Sequence, residues 1–333
     1  MLFEYRVTRR IHMSSLNTNA SAMTALQTLS QTNKNLGITQ GRIATGMRVA
    51  EASDNAAYWS IATTMRSDNK ANSVLQDGLG LGAGKVDVAY TAINKAIEVV
   101  DQIKEKVLAA KTAGTEDRKK IQAEIATYVA QLKDNIKGAN YAGSNLLETD
   151  SDTTAAPNQK LTVLTSYNRS SAGAVTTGTV EVKYENIRLI DVQTGSDAEG
   201  ILDSDGTNGH TRVSGISILD IDITDTGIAG VDDYATDGEA ASFDKVLTDI
   251  EDALSALATG AAELGAAKAR IDMQKDFVSS LSDAIDRGVG QLVDADMEKE
   301  SARLSALQVQ QQLGIQSLSI ANSNAQNILS LFR

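Results

Sequence analysis

Residues 291–331 read QLVDADMEKE SARLSALQVQ QQLGIQSLSI ANSNAQNILS L, and the placement of their apolar side chains decides what kind of molecule this is. Ala302, Ala306, Val309, Leu313 and Ile320 recur at steps of three, four or seven, which makes one helical stripe. Leu304, Leu307, Ile315, Leu318, Leu329 and Phe332 form a second. A helix that is apolar on two sides has to be covered on both. The partner helix at the other end of the chain is long enough for one face, so the second face needs another molecule. Self-assembly is therefore written into the pattern.

At that other end, residues 14–44 carry no Gly/Pro cluster, and Ala22, Leu29, Leu36 and Ile43 recur every seven residues. Leu26, Asn33, Gln40 and Met47 stand four places after each, a spacing that predicts a coiled-coil seam. Half of that second row is polar. Gln316 and Asn322 likewise interrupt the apolar positions of the last helix, so the seam is expected to be weak.

Gly46 should end the first helix, with Ser53 or Asp54 capping a second that runs from Asn55 to about Ala113. After a break at Gly114-Thr115, Ile121, Ile125, Tyr128, Leu132 and Ile136 mark a third helix, from Glu116 to about Lys137. Residues 138–240 change character. Glycines punctuate short alternating runs, and strands are expected at Leu161–Thr165, Thr179–Tyr184, Ile187–Val192 and Val213–Ile223. The helical period returns from Ser242 to about Arg287, where Gly288 and Gly290 are expected to break it before the final helix. The fold class is mainly α, with a small β-rich insert.

Composition agrees. Among 333 residues there are no Cys, one Pro, one Trp, four Phe and eight Tyr. So few aromatics suit slender helix-on-helix packing better than one thick core, since each buries roughly 150–250 Å². The absence of Cys excludes disulfides and thiolate metal sites. A net charge of −12 argues against nucleic acid or an anionic membrane as partner. No apolar run reaches the length of a membrane span. Residues 1–12, MLFEYRVTRRIH, lack the apolar centre of a secretory signal and are read as an upstream extension, with Met13 as the natural start.

Rival chemistry is thin. Leu79-Gly80-Leu81-Gly82-Ala83-Gly84-Lys85-Val86 lacks the first Gly and the Ser/Thr of a phosphate loop, and reads instead as close helix packing or local loosening. Asp203-Ser204-Asp205-Gly206-Thr207-Asn208-Gly209 departs from a calcium loop at Thr207 and at its end, so an exposed turn is expected. Asn168-Arg169-Ser170 matches a glycosylation sequon. His12 and His210 have no nucleophile or carboxylate constellation around them. Asp294, Asp296, Glu298 and Glu300 fit the favourable end of a helix dipole. No catalytic residue, metal site or cofactor is expected.

Several motifs at both ends resemble those of the flagellin family. They are Leu16-Asn17-Thr18-Asn19, Gly41-Arg42-Ile43-Ala44-Thr45-Gly46-Met47-Arg48-Val49, Ser53-Asp54-Asn55-Ala56-Ala57 and Ile121-Gln122-Ala123-Glu124-Ile125, then Leu264-Gly265-Ala266, Arg270, Asp294 to Glu300, and Ala321 to Leu331. The details look like filament flagellins of rhizobium-like α-proteobacteria. The resemblance implies a secreted, extracellular filament subunit for motility whose two ends pair as antiparallel helices, exported by the flagellar apparatus without a cleaved signal. It implies residues 13–44 and 289–333 as filament-core helices, 45–56 as a spoke, 57–150 and 241–288 as the rod, and 151–240 as a variable surface domain. Other copies, an export chaperone, and cap and hook-associated proteins are the implied partners. One departure stands out. The family's receptor-binding stretch carries two Arg, whereas Ile103-Lys104-Glu105-Lys106-Val107-Leu108-Ala109 carries none, so weak recognition by the Toll-like receptor is expected. A hook–filament junction protein and a flagellin-like polysaccharide-binding protein are the alternatives.

Overall fold

A computed structural model describes residues 19–151, 160–170, 173–192, 200–204, 213, 217–224 and 239–330, with side chains described for 242–323 of the last stretch. Helix α1 spans Ala20–Thr45, α2 Ala56–Lys111, α3 Thr115–Gly138, α4 Glu239–Val293 and α5 Met297–Ser330. Between α3 and α4 lie six strands: β1 (Asn140–Tyr141), β2 (Ser144–Asn145), β3 (Glu148–Thr149), β4 (Lys160–Arg169), β5 (Val175–Lys183) and β6 (Ile190–Asp191). The chain divides into two compact units, one made of residues 1–67 and 284–333, the other of 68–283.

The larger unit is a heptad-built bundle. On α2, Leu79, Val86, Ile93, Val100 and Val107 stand seven apart, and on α4 so do Phe243, Ile250, Leu257, Leu264, Ile271 and Val278; all are buried. Ile125, Val129, Leu132 and Ile136 of α3 complete this core. Lys104 with Glu251, and Lys268 with Asp87, pair across α2 and α4 and confirm that they run antiparallel. The turn between α2 and α3 is closed by Arg118, whose Nε donates to the Ala110 carbonyl while its guanidinium lies 5.0 Å from the Phe243 ring.

The insert is laid onto this bundle. Strands β4 and β5 pair antiparallel from Lys160↔Lys183 to Arg169↔Val175, with a bulge between Leu164 and Ser166. Val163 reaches Gly82 of α2, and Arg169 pairs with Asp68 near the start of this unit. The glycine-rich stretch of α2 is thus a docking strip and not a phosphate loop. The β1–β2 hairpin turns through Ala142 and Gly143, both at positive φ, as its two-residue turn requires.

Four local expectations are corrected. Asn55, not Ser53 or Asp54, caps α2, its Oδ1 accepting from the N–H groups of Ala57 and Tyr58. Asp54 instead accepts from Ala50 and Glu51 and tightens the preceding turn. Helix α4 runs straight through Gly288 and Gly290 to Val293, because Val289 and Val293 are held in an apolar cluster with Val49 and Ala62. Ile187–Val192 narrows to β6, and the described part of Val213–Ile223 contains a 3-10 turn at Ile218–Asp220 capped by Ser217. Residues 1–12, Asp205–Gly209, His12 and His210 lie outside the described residues.

Candidate assembly interface

In the smaller unit α1 and α5 lie side by side, antiparallel and in even register. Asn19 Nδ2 donates to the Ala321 carbonyl at 2.9 Å, Gln311 Nε2 donates to Asn33 Oδ1 at 2.9 Å, and Arg42 Nη1 pairs with Glu300 Oε1 at 3.2 Å. At the base of the pair Met47 bridges Asp294. Ala295 N–H donates to the Gly46 carbonyl, and the N–H groups of Arg48 and Val49 both donate to Val293. Asn19 starts α1 by accepting from Ala22 N–H, and Gly46 ends it in the left-handed region at φ 70°. Asp296 starts α5 by accepting from Lys299 N–H, which accounts for one member of the acidic cluster.

The seam follows the seven-residue repeat, with one row displaced. Ala22, Leu29, Leu36 and Ile43 are half-buried as expected, but the row beside them is Ala25, Thr32 and Thr39, three places on and not four. Leu26 is 59% exposed, and Asn33 and Gln40 are exposed as well, so the polar side chains that α1 itself buries in the seam are Thr32 and Thr39. On α5 the seam consists of Glu300, Leu304, Leu307, Gln311, Gly314, Leu318 and Ala321. Gly314 belongs there because a Cβ would come within 3.2 Å of Leu29 Cδ1. Ile315, predicted to share the stripe of Leu304, is exposed; it lies about 100° from Gly314 on the helix. Gln316 and Asn322 are exposed too. The side chain of Leu329 lies outside those described.

The second apolar face is present and bare. Met23, Leu26 and Ile38 on α1 and Val309, Leu313, Ile315 and Ile320 on α5 are each more than half exposed. Among the described side chains of this helix pair, only Leu307, Glu300, Thr32 and Thr39 are buried. Two long helices thus share a thin seam and leave seven large apolar side chains outside it.

In the larger unit Ile103 and Val107 are wholly buried, while Lys104 and Lys106 pair with Glu251 and Glu124. These ion pairs push both amines above their ordinary range, through hydrogen bonding to the facing carboxylates first. Among the described residues there is no group of three or more His, Cys, Asp or Glu placed to hold a metal, and no helix is long and apolar enough to cross a membrane.

Residues 16–152 match the bacterial flagellin N-terminal helical region, and residues 247–332 match the bacterial flagellin C-terminal helical region. The chain belongs to the bacterial flagellin family. Its α1–α5 pair is therefore built from the two terminal regions by which the family is defined. A flagellin of Brucella melitensis is 52% identical over 321 residues, covering 96% of this chain and all of the relative. Flagellin C of Rhizobium meliloti is 45% identical over 328 residues, and flagellin A of the same organism 39% over 398, each again across 96% of this chain and the whole relative. This flagellin is a structural subunit of the extracellular flagellar filament, and it self-assembles. The relatives lend nothing to the junction-protein or polysaccharide-binding readings.

Proposed function

We propose that the terminal pair of this flagellin is loosely ordered in the single subunit and becomes rigid when neighbouring copies cover its second face. The observation that carries this is the bare apolar set Met23, Leu26, Ile38, Val309, Leu313, Ile315 and Ile320 beside a seam with so few buried side chains. Ordering a residue costs roughly 1–2 kcal/mol of backbone entropy, which half-buried Ala, Thr and Gly positions offset poorly. Burial against a second copy adds roughly 25 cal/mol per Å² of apolar surface and tips the balance. In the filament, residues 13–44 and 289–333 line the core, 45–56 form the spoke, 57–150 and 241–288 the rod, and 151–240 face solvent.

Loosely ordered ends suit passage through the flagellar export apparatus. Before assembly the bare face of α5 offers an export chaperone its docking stripe, and at the growing end the cap and hook-associated proteins complete the partner set. The test is hydrogen exchange and limited proteolysis on dilute subunit and on filament. Both ends should exchange and be cut rapidly in the subunit and be protected in the filament; rigid, resistant ends in the dilute subunit would overturn the reading.

Recognition by the Toll-like receptor is weak in this proposal, because the stretch 103–107 offers two buried aliphatics and two lysines already engaged with Glu251 and Glu124. Lys also lacks the bidentate fork through which Arg binds acidic partners. Purified subunit at nanomolar concentration should leave reporter cells unstimulated, and strong activation would refute this.

A further inference from the structure

Resting on the reading that α1 and α5 pair in the filament, we infer that Arg42 and Glu300 set the register of that pairing. The apolar rows cannot do so alone. They repeat every seven residues on both helices: Leu29, Leu36 and Ile43 on α1, and Leu307, Gly314 and Ala321 on α5. A slip of seven residues, roughly 10 Å along the axis, sets apolar against apolar again. Thr32 donates to the Thr28 carbonyl of its own helix and so is indifferent to its partner. Asn19 bonds a backbone carbonyl on α5, which carries no side-chain identity. Gln311 and Asn33 do meet side chain to side chain, but at an exposed position where water competes, and the backbone bonds at the base tie the loop beyond Gly46 to the junction of α4 and α5, outside the seam.

The ion pair is different. Glu300 is 8% exposed, and its Oε1 lies 3.2 Å from Arg42 Nη1. Among the described residues Arg42 Nε and Glu300 Oε2 are buried without a hydrogen-bond partner, so each charge depends on the single contact with its opposite number. With Leu29 against Gly314, equal seven-residue steps bring Leu36 against Leu307 and the Arg42–Ile43 turn against Glu300. Slipped by seven one way, Glu300 is level with Asn35 and Arg42 with Val293. Slipped the other way, Arg42 is level with Leu307 and Glu300 with Val49, past the end of α1. Either slip leaves the buried Glu300 without its cation and the part-buried Arg42 without its anion, and breaking such a pair costs more than never having had one. A single buried polar position fixing the register of an otherwise degenerate coiled coil is a known use of such groups.

The chain has no Cys, so engineered cysteine pairs report register without background. Leu36→Cys with Leu307→Cys marks the native register; Leu29→Cys with Leu307→Cys, and Ile43→Cys with Leu307→Cys, mark the two slips. In filaments with the natural charges only the first pair should form a disulfide within one chain. If it does not, the paired-helix reading itself has failed. Arg42→Glu or Glu300→Arg alone should raise the critical concentration for assembly by roughly 10- to 100-fold, and any filaments formed should cross-link at a slipped pair. The exchange Arg42→Glu/Glu300→Arg should return assembly to within about threefold of the natural chain and restore native-only cross-linking. Singles that do not polymerise leave the decision to the exchange. The inference is overturned if the exchange is as impaired as the singles, or if every variant cross-links in the native register only.

Discussion

Gly80 and Gly82 sit two residues apart in α2, and their surroundings could hardly differ more. A Cβ on Gly82 would lie 2.7 Å from both γ-carbons of Val163, whereas nothing lies within 4 Å of a Cβ on Gly80. Alanine should therefore act with opposite signs at the two positions. Gly80→Ala gains helix propensity and stabilises the larger unit by about 0.5–1 kcal/mol. Gly82→Ala gains the same propensity but drives Val163 out of place, for a net loss of about 1–3 kcal/mol. Urea unfolding followed by circular dichroism separates them. The sequence stretch offered packing or loosening; Gly82 is packed against Val163 while Gly80 faces open space within a continuous helix, and the distinction rests on a hairpin about 80 residues downstream. Asp203 supplies a second residue-scale prediction. Burial is the main cause holding its carboxyl above the usual range; Oδ2 accepts from Asp191 N–H, and Oδ1 has no partner among the described residues. A raised folded-state pKa means stability that is fully present below the unfolded value of about 3.9 and lost as pH rises through the folded one. Asp203→Asn should flatten that fall, seen as a shallower change of melting temperature on going from about pH 4 to pH 7. An unchanged slope would remove Asp203 from the account.

Elements carry the next lesson, because α1 and α5 were legible as amphipathic helices but not in every stripe. Leu29 and Leu36, a heptad apart, and Leu307 and Leu318, three turns apart, lie in the seam of the pair, because such spacings keep side chains on one face of a helix. The companion row on α1 was read four places on, through Leu26, and lies three places on, through Ala25, Thr32 and Thr39. Size misled the assignment. Leucine looks like a core residue, yet α5 presents Gly314 at close approach to Leu29, and a seam that narrow takes Ala and Thr. The large side chains are turned outward, where single-chain reasoning expects polar ones and polymer reasoning expects anchors. Leu26→Ala should accordingly leave the helicity of dilute subunit unchanged, as surface substitutions usually do. It should raise the critical concentration for assembly roughly 10- to 100-fold, the equivalent of burying a leucine against a neighbour. Sedimentation of filaments against total protein measures this. An unaltered critical concentration would place Leu26 outside any contact between copies.

For the whole molecule the decisive property is where the charge sits. Residues 68–283 hold 35 of the 43 acidic side chains and 20 of the 31 basic ones, so the rest of the chain, terminal helices included, is slightly basic. The excess of acid is thickest in 150–240, nearly all of which lies between the two family-matched regions. The helix pair on which the proposed assembly contacts lie is thus close to neutral, while the net negative charge is carried mostly by the stretch outside the two family-matched helical regions. In a polymer the larger units bring like charges together, and their repulsion reaches about a Debye length, about 10 Å at 0.1 M salt and about 30 Å at 0.01 M. Assembly should therefore be opposed by repulsion at low ionic strength and released as salt is raised, while the apolar contacts of α1 and α5 depend on salt only weakly. Critical concentration should fall steeply from about 0.01 M to about 0.15 M salt and level off above, as the screening length shortens. Replacing the exposed Glu181, Glu185 and Asp220 by Gln and Asn should flatten that curve by lowering its low-salt end alone. A variant whose low-salt and high-salt values fall together would show instead that the acids act through local contacts, and that the division of labour between a neutral assembly surface and a charged exterior does not hold.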